Sequence, residues 1–407
     1  MSARSHPIFN VTVLVAALGY FVDIYDLLLF NIVRVDSLRD LGLDQAGIKS
    51  SGEFIISIQM TGLLVGGILW GIMGDKKGRL SVLFGSIILY SVANLLNGFV
   101  QTPTQYAWVR FFAGVGLAGE LGAGITLVSE LVHKEKRGIS TSLVAGIGLT
   151  GAVAAYFVAQ YFHWRTCYFI GGGLGFCLLL LRISVFESGM YTAIRNKPVS
   201  RGDFFLFFTN AARFRKYLLA ILIGLPTWYV IGILVAFSDV FARAFGFSGE
   251  VLPKKSTLFA YIAISVADVL VGLLSQWLRS RKKAVAVFYV ITGVSIALFF
   301  SPLNSGPDAM YLIAAAMGFG TGFWALFVTM AAEQFGTNLR ATATTTVPNM
   351  VRGSLPLLLI LFEGLERLTG SYVTGAWITG LVVMLLSSVA LKLTRETYGR
   401  DLDFEEG

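Results

Sequence analysis

The sequence predicts an all-α integral membrane protein: twelve transmembrane helices in two pseudo-symmetric six-helix bundles. Three observations predict it: a composition too apolar for water, apolar runs of membrane-crossing length from end to end, and polar landmarks that recur half-way along. Of 407 residues, 55% are hydrophobic and only 14% charged. Mean hydropathy is +0.72, whereas about a quarter of the residues of a soluble domain are charged. This balance excludes a globular enzyme in water.

A hydrocarbon core takes roughly 20 helical residues to cross. Apolar stretches of about that length fall near 11–33, 53–73, 80–100, 105–129, 139–160 and 166–186, and again near 216–241, 256–277, 284–301, 309–332, 342–368 and 371–393. The first carries two aspartates and is too long for a signal-peptide core, so it is expected to stay as span one. Between the sixes lies a polar, basic segment with Arg195, Lys197, Pro198, Arg201 and Asp203, expected as a linker with a short amphipathic helix. The expected organisation is a first half at 1–186, a linker at 187–215 and a second half at 216–407.

The halves look like copies. Glu130 and the run Arg137-Gly138-Ile139-Ser140-Thr141 recur 203 residues later as Glu333 and Arg340-Ala341-Thr342-Ala343-Thr344, between the fourth and fifth spans of each half. Gly71 to Arg79 has a decayed counterpart in Gly272 to Lys283, with Gln276 where Asp75 stands. Duplicated halves are a recurrent plan in membrane carriers.

The net charge of +8 sits in tails and alternate loops. Its runs are Lys76, Lys77 and Arg79; Lys134, Lys136 and Arg137; Arg182 to Lys216; Arg279 to Lys283; and Lys392, Arg395 and Arg400. This distribution marks topology and no nucleic-acid surface, and it places both termini in the cytoplasm with the chain in the plasma (inner) membrane. Cys167 and Cys177, ten residues apart in one span, match neither a metal spacing nor a disulfide and are expected to pack. The histidines His6, His133 and His163 fall near span ends or in loops.

The most informative loop is Gly71-Ile72-Met73-Gly74-Asp75-Lys76-Lys77-Gly78-Arg79, whose glycines allow a tight turn and whose charges suit helix ends. It resembles the signature loop of the major facilitator superfamily, G-x-x-x-D-R/K-x-G-R/K, matched at Gly71, Asp75, Lys76, Gly78 and Arg79. The resemblance implies that this loop latches the two halves and gates their movement. In span four, Arg110-Phe111-Phe112-Ala113-Gly114-Val115-Gly116 is similar to the family's R-x-x-Q-G-x-G element, with alanine for glutamine. Arg110 in hydrocarbon needs a partner, and either a structural pairing or a coupling role fits it. Span five lacks the proline of the drug-antiporter branch, which tilts the resemblance towards uptake.

Asp23 and Asp26 lie three residues apart, on one face of span one. Asp23-Ile24-Tyr25-Asp26 is similar to the D-G-Y/F-D element of organic-acid and phosphate:proton symporters, with Ile24 for the small residue. Glu120 stands where that group has the acid of its G-G-D/E element. Trp164-Arg165, Glu187-Ser188, Arg340-Ala341-Thr342, Asn349 and Arg352-Gly353 extend the likeness.

Asp23, Asp26 and Glu120 are the candidate proton carriers, with Arg110 as partner. A static Asp26–Arg110 ion pair is the rival reading. Thr342, Thr345, Asn349 and Arg352 form one polar stripe on span eleven. Arg352 suits a carboxylate or phosphate, or else it neutralises Asp239 or Asp268. Arg352, Asn349, Thr345, Tyr25 and Trp324 are the expected solute contacts, and Tyr20, Trp228 and Tyr229 are further aromatics of the same cavity.

No Walker loop, metal cluster or nucleophile triad is present, so no cofactor, metal or enzyme activity is expected. The resemblance implies a secondary active transporter that moves a small anionic or zwitterionic metabolite by alternating access with proton symport. It would act as a monomer, with solute, protons and lipid bilayer as its partners. An exporter of a metabolite, siderophore or drug is the alternative, and a transport-like receptor or scaffold is a third reading.

Overall fold

The structure, a computed structural model, describes residues 11–77, 79–120, 144–185 and 204–399. The side chains at 11–13, 74–81, 337–338 and 340–341 stand outside that set. The first half contains α1 (Val11–Asp40), α2 (Gln45–Lys77), α3 (Arg79–Asn97), α4 (Pro103–Leu117), α5 (Val144–Tyr161) and α6 (Trp164–Val185).

In the second half, α7 (Ala211–Tyr229) continues through a π-helical turn, Val230–Val235. It is followed by α8 (Pro253–Trp277), α9 (Arg281–Phe299), α10 (Pro307–Thr321, resuming as Trp324–Gln334), α11 (Thr337–Gly353, resuming as Leu355–Thr369) and α12 (Tyr372–Leu393). Among the described residues ten helical runs are long and apolar enough to cross a membrane. The shorter α3 and α4 complete the twelve.

Side chains at the helix starts replace the missing turn of acceptors. Thr102, Asn210, Ser280 and Ser371 accept from the amides of Gln105, Ala212, Lys283 and Thr374, each such cap being worth about 1 kcal/mol. Between α11 and α12 the chain turns at Gly370, whose φ of 67° suits glycine.

Helix pairing repeats between the halves. α2 packs on α4, α3 on α4 and α6, and α1 on α5 and α6. Correspondingly, α8 packs on α10, α9 on α10 and α12, and α7 on α11 and α12. The halves meet where α2 touches α11 and α5 touches α8, two contacts that exchange under the same repeat.

Within each half one tyrosine fixes the first helix to the sixth. Tyr25 Oη donates to the Cys167 carbonyl at 3.0 Å and Tyr229 Oη to the Ala376 carbonyl at 2.7 Å. A glycine four residues further on, Gly171 or Gly380, leaves room for each ring. Close approach also requires Gly62 and Gly114, where an added Cβ would come within 2.2 Å and 2.3 Å of the Phe111 and Gln59 carbonyl oxygens. This lets α2 and α4 pack backbone to backbone.

The first two helices are longer than their apolar runs: α1 reaches Asp40 and α2 begins at Gln45. The polar residues taken as the end of span one are buried between the halves. Arg34, fully buried, pairs with Asp239, donates to the Ala236 carbonyl at 3.1 Å and lies 4.6 Å from the Phe237 ring centroid. Asp239 also takes Arg243 at 3.2 Å. Nearby, Lys254 reaches Asp36 at 3.7 Å and Lys49 reaches Glu366 at 3.3 Å. These three links between halves lie at the end of the bundle where α1 finishes and α2 begins. The stretch expected as a glycine-turned loop is helical as far as Lys77, where α2 ends, and again from Arg79, where α3 begins; Gly78, the side chains of Asp75, Lys76 and Arg79, and the Glu130 to Thr141 run fall outside the described residues or side chains.

At the other end Glu396, beyond α12, caps α9, accepting from Ser280 Oγ and from the Arg281 amide at 2.9 Å. Partial burial raises its pKa, but the hydrogen bonds from Ser280, Tyr398, Arg281 and Thr397 outweigh it and hold the carboxyl below its usual value. A depressed folded-state pKa stabilises above the unfolded value and is lost as pH falls through the folded one. The protection of the amides at the start of α9, measured against the intrinsic exchange rate at each pH, is therefore expected to fall in acid below the ordinary value of 4.5, and Glu396→Gln should remove that acid response.

The ion pairs differ in burial, and this is testable. Asp239→Asn strands the buried Arg34, and removing one partner of a buried pair costs about 3–5 kcal/mol. Lys49→Ala removes a partly exposed pair worth about 0–1 kcal/mol. Thermal melting in detergent should separate the two variants widely, and equal losses would mean that Arg34 reaches solvent.

Candidate functional site

Within the bundle, four carboxylates and three guanidiniums lie out of solvent along the faces that α1, α4, α6, α8 and α11 turn inward: Asp23, Asp26, Glu120, Asp268, Arg110, Arg182 and Arg352. Charges in such a place are costly and require partners. The partners sort them into three groups.

The first group is closed. Arg110 donates to Asp26 Oδ1 at 2.9 Å, the Asp26 carbonyl at 2.9 Å, Gln59 Oε1 at 3.1 Å and Asn94 Oδ1 at 3.3 Å. Its guanidinium also faces the Tyr168 ring at 5.5 Å. Four acceptors from α1, α2 and α3 take four of the five guanidinium donors, so the arginine is closed off in a helix-to-helix joint with Asp26, whose Oδ2 makes no hydrogen bond within the protein.

The second group is also closed and contains a correction. Arg182 does not belong to the basic surface segment; it is buried on α6 and forms a two-pronged pair with Glu120, one prong being 3.0 Å from Nη1 to Oε2. The pair presses on α1 at Gly19, where a Cβ would touch both side chains.

The third group is open and bridges the halves. Asp23 on α1 and Arg352 on α11 approach to 4.0 Å, both buried. Asp23 Oδ1 and Oδ2, and Arg352 Nε and Nη1, make no hydrogen bond within the protein. Trp324 lies with its ring centroid 5.6 Å from the Arg352 Cζ, and its indole N–H is likewise unpartnered. Tyr20, whose hydroxyl has no partner, stands near Arg352, Asp23, Asp268 and Tyr261. Such a constellation, with convergent polar groups unspent on the fold, is what a solute site needs. Arg352 therefore neutralises neither Asp239, which pairs with Arg34, nor Asp268, whose Oδ1 accepts from the Ala325 amide at 2.8 Å.

The rest of the expected site distributes unevenly. Asn349 donates to the Ala118 carbonyl at 2.8 Å and the Thr345 carbonyl at 2.9 Å, so its amide joins α11 to α4, while its Oδ1 is uncommitted. Thr345 is half-buried one turn before it. Tyr25 and Tyr229 are corrections: both hydroxyls are committed to carbonyls inside their own halves, because residue 25 turns to a different face of α1 from residues 23 and 26. Gln59, Asn94 and Arg182 are members of this network that the sequence reading does not single out, and Asp268 enters it as a cap and not as the counterion of Arg352. Their signal was simply a polar residue inside an apolar run.

Residues 16–359 match the family model of the Major Facilitator Superfamily. The chain belongs to the major facilitator superfamily. It is a multi-pass membrane transport protein for small molecules and no enzyme. Among its relatives, a putative niacin/nicotinamide transporter, NiaP, of Bacillus subtilis (strain 168) is 26% identical over 82% of this chain and 82% of its own. The niacin transporter NiaP of Acinetobacter baylyi (strain ATCC 33305 / BD413 / ADP1) is 25% identical over 97% and 96%. In fold, the chain superposes on the proton:xylose symporter XylE bound to 6-bromo-6-deoxy-D-glucose with a TM-score of 0.70, at 14% identity over 96% of this chain and 97% of that one. The transporter carries a small metabolite by alternating access, as the fold and family imply.

The joint at Arg110 depends on fork geometry as well as charge. Arg110→Lys keeps the charge but strands Gln59 or Asn94, at about 1–3 kcal/mol for each group left unsatisfied. The expected result is a clear fall in detergent melting temperature, and an unchanged melting curve would show that the side-chain fork is dispensable.

Proposed function

We propose that this transporter is a proton symporter that takes up a small aromatic monocarboxylate through the plasma (inner) membrane, with both termini cytoplasmic and one chain as the working unit. The observation that carries this reading is the open Asp23–Arg352 pair beside the Trp324 ring. Arg352 offers a planar fork that fits a carboxylate with two parallel hydrogen bonds. Trp324 offers a flat apolar face, with Tyr20 close by, and Asn349 and Thr345 line the same stripe. Niacin, named for both relatives above, is a pyridine ring bearing one carboxylate.

The pair supplies a coupling rule. A solute carboxylate and the Asp23 carboxylate compete for one guanidinium, and a proton on Asp23 removes the competitor. Proton and solute therefore bind cooperatively, and acid on the loading side raises solute affinity. Once the cargo leaves, Asp23 returns to Arg352 and the empty carrier resets with its charges paired. A carrier holding only the proton keeps Arg352 unpaired in low dielectric, which is costly and suppresses proton leak.

Asp26 and Glu120, each already paired with an arginine, hold helices in this scheme, and Asp23 is the group that titrates. The two halves at 1–186 and 216–407 rock about the site, with 187–215 as linker. The Gly71, Asp75, Lys76, Gly78 and Arg79 loop serves as the latch. No cofactor, metal or nucleic acid takes part.

Uptake of nicotinate into proteoliposomes under an imposed pH gradient tests the scheme. Wild type should accumulate nicotinate when the outside is acid; benzoate should compete and xylose should not. Asp23→Asn is expected to keep binding while losing the gradient response. Arg352→Lys should raise KM by about tenfold, equivalent to about 1.4 kcal/mol. Gradient-driven accumulation that survives in Asp23→Asn would sink the coupling claim.

A further inference from the structure

Helix α10 is broken in mid-membrane. Pro307–Thr321 ends at Gly322, and Phe323, with φ −116° and ψ 20°, precedes the second piece, Trp324–Gln334. A helix start leaves backbone N–H groups without intrahelical acceptors, and in a bilayer each such group must be satisfied inside the protein. Phe323 occupies the capping position and has no side-chain oxygen to offer.

The acceptor comes from another helix. Asp268 of α8, fully buried, accepts from the Ala325 amide at 2.8 Å through Oδ1, with the neighbouring Trp324 amide close to the same carboxyl. A carboxylate at that place also meets the positive end of the helix dipole. Oδ2 has no hydrogen-bond partner in the protein. The helices are built to meet there: an added Cβ at Gly322 would lie 2.4 Å from Ala267 Cβ, and one at Gly318 would lie 2.3 Å from the Ala260 carbonyl oxygen. Trp324 is the first residue of the capped piece, and its ring faces Arg352.

We propose that Asp268 is a positioning residue for the solute site: by capping the second piece of α10 from α8 it fixes the Trp324 ring against Arg352. Asp268 touches no solute and acts through Trp324. The carboxylate aims the indole, and the indole sets the fit of a flat ring beside the guanidinium. This inference rests on the aromatic-carboxylate reading above for its transport readout and on the backbone geometry alone for its structural one.

The test uses the full chain in proteoliposomes with nicotinate as probe, and amide exchange by mass spectrometry on the same preparations. Asp268→Leu, which removes the acceptor, should raise KM by about tenfold while changing the maximal rate by less than about threefold, as expected when orientation is lost and the carrier still cycles. Asp268→Asn retains an acceptor oxygen and should rescue KM to within about threefold of wild type. In a Trp324→Leu background, Asp268→Leu should add less than about twofold, because coupled residues are non-additive.

An unchanged KM in Asp268→Leu, or an equal effect in the Trp324→Leu background, overturns the proposal. If Asp268→Leu does not assemble, Asp268→Asn decides. Protected amides at Trp324 and Ala325 with KM near wild type support the proposal, and a KM raised tenfold with those amides still protected overturns it. A wild type that ignores nicotinate counts against the substrate reading. The amide exchange then judges the cap by itself: fast exchange at Trp324 and Ala325 in Asp268→Leu supports it, and exchange equal to wild type overturns it.

Discussion

Hydrocarbon offers no hydrogen bonds, so every polar group carried into the membrane must be answered by another group of the protein. Much of this architecture follows from how those answers are supplied. Arg110 takes four acceptors from three helices, Arg182 takes both oxygens of Glu120, and the interrupted α10 takes a carboxylate from α8. Each of these groups has a partner from another helix and holds helices in place, although Asp26 and Asp268 each keep one oxygen unbonded. Asp23 and Arg352 face one another with most of their hydrogen-bonding capacity unspent. The difference separates scaffold from site without reference to position in the sequence, because a saturated pair has nothing to give a ligand and an unsaturated one does.

The same contrast runs along the seam between the halves. At the end where α1 finishes and α2 begins the seam is held by charge, with a buried Arg34–Asp239 contact flanked by the more exposed Lys254–Asp36 and Lys49–Glu366 pairs. At mid-depth it is held by the Asn349 amide on the Ala118 carbonyl and by the loose Asp23–Arg352 contact. A carrier that alternates must break and remake such contacts. Ion pairs suit that task since their partners can find water once separated, whereas interdigitated apolar surface releases only at the cost of its full area.

Much of this was legible in the sequence. The twelve spans follow from apolar runs of bilayer length, the halves from landmarks 203 residues apart, and Asp23, Asp26, Glu120, Arg110 and Arg352 from the rarity of charge in such runs. Pairing was harder. Asp26 with Arg110 was one of two readings, while Arg352 was set against Asp239 or Asp268 and in fact approaches Asp23, because partners between spans are chosen by tertiary packing that no local pattern encodes. Arg34 and Asp36 lie just past the apolar run 11–33, and a sequence shows that a residue is charged but hides that its counterion arrives from the other half. Tyr25 is expected among the aromatics of the cavity, but a two-residue step from Asp23 turns it to another face of α1 and into the body of its half.

Tyr25 and Tyr229, 204 positions apart, make the same bond to the same kind of partner, and each has its glycine four residues past the acceptor. A bond of the same kind in both halves ties each first helix to its sixth within the half and leaves the contacts between halves free of it. Meanwhile the loop after the second helix has drifted in the later copy, where Gln276 replaces the acid and accepts from Tyr398. The two halves thus share the bond that ties first helix to sixth and differ in the polar contacts at their rims, so two bodies of one build present different edges to whatever closes on them.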